Sequence, residues 1–183
     1  KLHALIEVDI TRGNLNPLPI AVSALYSDKE TTENLKKEIK IDQIGDEISK
    51  VIENNLKATG LFNPLEKKAF LQKPDVAHLK PRFEDWSLIK AQALITGKVE
   101  FKDDKVRVEF RLWDVLAARE MLALAFTTVP NNWRRIGHII SDKIYERLTG
   151  EKGYFDTRII YVSEKGPKTQ RVKKLAIMDQ DGF

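Results

Sequence analysis

The chain has 183 residues, 42% of them apolar and 32% charged, with a formal charge of +4. This is an ordinary globular balance with enough apolar material for a core, and a charge too small to argue for nucleic acid or membrane as partner. The absence of cysteine excludes disulfides, thiolate nucleophiles and cysteine-held metals, and no apolar run approaches the ~20 residues that cross a bilayer.

The opening KLHALIEVDI lacks the long apolar stretch and small-residue site of a signal peptide, so an exported protein would be represented here by its processed form. In LHALIEVDITRG, Ala4, Ile6, Val8 and Ile10 alternate with Leu5, Glu7, Asp9 and Thr11, the period-two pattern of a half-buried strand. LPIAVSALY is a second strand after the NLNP turn. The polar run SDKETTENLKKEIK has no apolar period and reads as a solvated loop with some helical tendency.

From residue 42 to residue 59, Ile44, Ile48, Val51, Ile52 and Leu56 recur at helical spacing, with Asp42 as the expected cap and Gly60 as the left-handed stop. A loop-rich stretch marked by Pro64, Pro74 and Pro81 leads to a short helix in FEDWSLIKA. Residues 93–129 form a three-stranded meander. KDDK is its first tight turn, and Val106, Val108, Phe110 and Leu112 point inward, followed by Leu122, Leu124 and Phe126 on the next strand. A last helix, capped by Asn131 and stopped by Gly150, carries Trp133, Ile136, Ile140, Ile144 and Leu148 on one stripe. Two long helices and about five strands, not strictly alternating, indicate an α+β layer: a mixed or antiparallel sheet with the helices packed on it.

FDTRIIYVS and RVKKLAIMD then form a hairpin around Gly166 and Pro167, with a further turn at DQDG. A lone two-stranded hairpin is marginally stable in water and leaves open edges. The expectation is therefore that residues 1–152 form the α+β domain, while residues 153–183 are a linker and the first strands of a further all-β domain, of which a β-propeller is the obvious case.

Little in the chain advertises a reaction. His3, His78 and His138 lie in separate segments, and His138 reads as a surface pair with Asp142 one turn on. Glu84 and Asp85, beside Trp86, read as a helix start. The lysines of KGPKTQRVKK guard a strand edge, since no aromatic side chain is interleaved with them as single-strand nucleic-acid binding requires. Trp86, Trp113 and Trp133 read as core or seam packing rather than interface anchors. Acids that meet only in three dimensions, as in a small hydrolase, remain the alternative from a different class.

ATGLFNPL, the Trp86-to-Gly97 element and above all LTGEKGYFDTRIIYV together resemble the N-terminal domain of the TolB family. IMDQDGF is similar to the turn of that family's first propeller blade, with Gln180 where an aromatic is common. The resemblance implies a six-bladed β-propeller after the α+β domain and a periplasmic monomer of the Tol-Pal system. It implies no cofactor, no metal, no nucleic acid and no membrane insertion. It further implies docking of the TolA C-terminal domain by the N-terminal segment, here Leu5, Ile6, Glu7, Val8, Asp9, Ile10, Thr11 and Arg12, and of Pal by the propeller. An alternating segment at a terminus suits strand addition to a partner's sheet. The same residues also suit an edge strand of the domain's own sheet.

Overall fold

The computed structural model describes residues 16–183, so the strand expected at residues 4–11 lies outside the described residues. One sheet carries the body of the chain, built from β1 (Leu18–Val22), β2 (Tyr26–Ser27), β3 (Phe62–Pro64), β4 (Ala93–Lys102), β5 (Lys105–Asp114) and β6 (Arg119–Thr128). Its order is β3-β1-β4-β5-β6, with β2 beside the far end of β4. The β1 pairings with β3 and β4 are parallel, whereas β4-β5-β6 is an antiparallel meander. The sheet is therefore mixed, as expected. The turn between β4 and β5 places Asp103 and Asp104 at φ 52° and 55°, the two left-handed residues that let a two-residue hairpin follow the strands' twist.

Two helices, α2 (Ile44–Ala58) and α5 (Trp133–Thr149), pack on one face of the sheet. Ile48, Ile52 and Leu56 of α2 and Ile140, Ile144 and Leu148 of α5 are fully buried against Ile20, Val22, Ile95, Val108, Phe110 and Leu112. Full burial of a large aliphatic side chain is worth roughly 1.5–3 kcal/mol, so this stripe-on-sheet contact dominates the stability of the body. Gly150, at φ 77°, ends α5 by the left-handed stop that the sequence indicates.

Three expectations need correction. The polar run at residues 27–40 is a helix, α1 (Lys29–Ile39), not a loop. Asp28 accepts a hydrogen bond from the Thr31 backbone N–H at 2.7 Å, Glu30 lies in the first turn and Lys36 and Lys37 in the last, an arrangement that matches the helix dipole. Its buried stripe is short, Thr31 and Leu35, and Thr31 Oγ1 accepts from the Phe101 N–H at 3.3 Å. Asp42 does not cap α2: the cap position is Gln43, without a side-chain bond, and Asp42 pairs with Lys36 at 2.7 Å. Asn131 does not cap α5. It sits within a 3-10 turn, Pro130–Asn132, that precedes the helix.

The sheet's other face is not bare at the β1–β4 end. The short helices α3 (Pro74–Ala77) and α4 (Phe83–Leu88) cover it, with Trp86, Ala77, Ala91 and Val115 buried against Ala21 and Leu94. Residues Ala93 to Gly97 are accordingly buried in succession and do not alternate. Gly97 is required there: a Cβ would lie 2.1 Å from the Glu109 carbonyl oxygen.

The chain ends in a separate antiparallel pair, β7 (Arg158–Lys165) and β8 (Val172–Asp179), which joins no other strand among those described.

Candidate functional site

The docking segment indicated by the sequence, Leu5 to Arg12, lies outside the described residues, which begin just ahead of β1. Among the described residues, two clusters of ionisable side chains and one exposed apolar hairpin are the candidates for chemistry or docking.

The three tryptophans are packing residues. Trp86 is 1% exposed and donates to Gln72 Oε1 at 3.1 Å. Trp113 donates to Thr96 Oγ1 at 2.9 Å, and half-buried Trp133 lines, with Phe183, a groove beside Ile39 and Ile41.

An acid and lysine cluster joins α2 to the 3-10 turn at Lys67–Ala69. Lys67 Nζ lies 2.7 Å from Asp46, 2.8 Å from Ser49 Oγ and 3.3 Å from Glu53. Burial alone would raise Asp46, but hydrogen bonds from Lys67 and Lys50 outweigh it and hold the carboxyl below its ordinary value. Burial wins at Glu53, whose pKa is raised despite Lys67. Perturbed carboxylates mark functional sites as well as structural ion pairs. Both acids here are met by the same ammonium, which ties the loop to the helix, and the hydroxyl beside them, Ser49 Oγ, is fully buried and donates to the Asp46 carbonyl oxygen at 2.8 Å.

The second cluster corrects the reading of His138. This residue is 2% exposed and makes no pair with Asp142. Asp142 instead accepts from the backbone N–H groups of Phe155 and Asp156 at 2.6 and 3.1 Å, and Gly153 passes so close to it that a Cβ would lie 2.4 Å from its Cα. The junction motif LTGEKGYF is thus a tightly folded corner: Gly150 stops the helix, Gly153 allows the approach, and Phe155, 1% exposed, plugs it. His138 faces the other way, with Nε2 3.6 Å from Asp179 and 4.0 Å from Asp181. Those three side chains form a group that could hold a metal ion, but Arg134 is already bonded to Asp181 and lies 3.8 Å from Asp179. No signal in the sequence brings residues 138 and 179 together.

The hairpin is the most exposed part of the described chain. Ile160 pairs with Ile177 and Val162 with Leu175, and these four are 56–80% exposed on one face. Ile159 and Tyr161, on the opposite face, are each 42% exposed. An apolar pair of this kind is unusual on a free surface and marks a place for further packing. Of its basic residues, Arg171 and Lys173 are held by Glu164 at 2.7 and 2.9 Å, and these bonds lower the Glu164 carboxyl. Finally, no described helix is long and apolar enough to cross a membrane.

The sequence model of the TolB amino-terminal domain matches residues 6–121. The Tol-Pal system protein TolB of Pelagibacter ubique (strain HTCC1062) is 76% identical over the whole chain, which spans 41% of that relative's length. The crystal structure of TolB from Acinetobacter baumannii superposes with a TM-score of 0.71 at 23% identity, over 97% of this chain and 40% of the other. A superposition of that quality over nearly the whole chain shows a shared fold. A family match over more than half of the residues, together with that identity, places this chain in the TolB amino-terminal domain family of the Tol-Pal system.

Proposed function

We propose that the chain is a non-catalytic periplasmic adaptor of the Tol-Pal system. Its residues Leu5 to Arg12 dock the C-terminal domain of TolA by strand addition, with Ile6, Val8 and Ile10 selecting apolar pockets. The hairpin β7–β8 opens a β-propeller that docks Pal, and the whole supports outer-membrane integrity and constriction at division. The observation that carries this reading is the alternation of Ile6, Val8 and Ile10 just ahead of β1 in a member of the TolB family. Two features of the described part support it. The ionisable clusters are met by opposite charge within the fold, and the largest uncovered apolar feature is a strand pair. Against the hydrolase alternative, the hydroxyl beside the perturbed acids, Ser49 Oγ, is fully buried and already donates to a backbone carbonyl.

Titration of the chain with the TolA C-terminal domain, with and without residues 1–12, tests the proposal. Deletion is expected to abolish binding and leave the melting transition of the body unchanged. Undiminished binding by the deleted chain overturns it.

A further inference from the structure

Two attachments hold the hairpin on the helical body. The first is the corner at residues 150–157, fixed by buried Phe155, by the backbone bonds to Asp142, and by Arg135 donating to Asp156 at 3.0 Å. The second is the turn that follows β8. Here Gln180 donates to Asn55 Oδ1 at 2.9 Å, Arg134 bonds Asp181, and the Arg134 guanidinium lies 3.9 Å from the Phe183 ring centre.

The chemistry of the second attachment is unevenly balanced. Asn55 Nδ2 donates to Ser141 Oγ at 2.9 Å and faces His138 Nδ1 at 3.0 Å. An amide nitrogen only donates, so Nδ1 accepts and the ring hydrogen sits on Nε2. That Nε2 is buried, has no hydrogen-bond partner, and points at two carboxylates just beyond bonding distance. Arg134 Nε is also buried and unbonded. The facing charges are Arg134 from α5, Asp179 and Asp181 from the turn, and exposed Arg158, 3.9 Å from Asp179. The Arg134–Asp181 pair is only partly shielded from solvent, and such a pair gains little net stability, because side-chain ordering and partial desolvation offset the attraction. The parts on either side do not depend on it: the body has its own apolar core, and the hairpin has its own ladder.

We propose that Arg134 and His138, one turn apart on α5, form with Asp179, Gln180 and Asp181 a polar latch that sets the orientation of the hairpin on the helices. Opening of this latch leaves both parts folded and lets the hairpin turn about the corner at residues 150–157. Arg134 is the principal positioning residue, because it is the cation that meets both carboxylates, whereas exposed Arg158 reaches only Asp179. The His138 N–H is the second.

Since the chain has no cysteine, spin labels at Asn54→Cys on α2 and Lys174→Cys on β8 report the latch by pulsed electron paramagnetic resonance. The parent is expected to give one narrow distance. Arg134→Gln is expected to give a broadened or two-component distribution, with the body's melting transition unchanged. His138→Leu broadens it too, whereas His138→Gln, which keeps an N–H donor, restores the narrow distance. An Arg134→Gln distribution as narrow as the parent's overturns the proposal. So does zinc chloride narrowing the Arg134→Gln distribution, or raising the parent's melting temperature, since either makes the cluster a metal centre instead.

Discussion

The meander and the terminal hairpin are both antiparallel, yet they meet solvent differently. In β5 every second residue is buried, from Val106 through Leu112, because α2 and α5 lie on that face. In β7 and β8 most residues are exposed and none is buried, with apolar side chains on both faces. Strict alternation thus records a sheet face covered by its own domain, while the apolar run IIYV stands exposed on both faces in the described chain. The same backbone pairing lies under helices in one region and open to solvent in the other.

The strongest way to break this comparison is to truncate matched apolar residues. Phe110→Ala, removing a side chain that is 1% exposed, should cost about 3–5 kcal/mol in chemical denaturation. Leu175→Ala, at a position 80% exposed, should change stability by less than about 0.5 kcal/mol. A large loss at Leu175 would mean that the hairpin carries the body.

A smaller effect sharpens the account of the body alone. Asp28→Ala removes the cap of α1 and should lower stability by about 1 kcal/mol in the same denaturation. No change would mean that Thr31 and Leu35 hold α1 without its cap.

The smallest effect separates the two regions by pH. The Asp46 and Glu164 carboxyls both lie below their ordinary values. Each contribution is therefore whole above the unfolded carboxylate range and is lost as pH falls through the lowered folded value. Asp46→Asn should destabilise the main transition at neutral pH by about 1 kcal/mol or less, since the pair is partly exposed. That difference should vanish in acid. Glu164→Gln, on the fully exposed pair, should leave the main transition unmoved at every pH.

Most of the body was legible because its pattern is dense. Ile44 to Leu56 and Ile136 to Leu148 repeat at helical spacing, and Val106 to Leu112 repeat every second residue. The Asp-Asp turn and the stop at Gly150 are local backbone chemistry. Helix α1 was not legible, because only Leu35 and the polar Thr31 mark its buried side. The roles of His138 and Asp142 were read from proximity in sequence, and folding gave each a partner from another segment. The docking segment, Leu5 to Arg12, rests on alternation and resemblance alone.

From the sequence alone came the long helices α2 and α5, the meander, the mixed α+β class, the hairpin and the family resemblance, since each depends on residues near one another along the chain. Tertiary structure alone decided which acids share Lys67, which face of the sheet α3 and α4 cover, and that the turn at Asp179–Asp181 meets Arg134 and His138. Those pairings join segments many residues apart, and a charge carries no periodicity that would disclose its partner before the chain has closed.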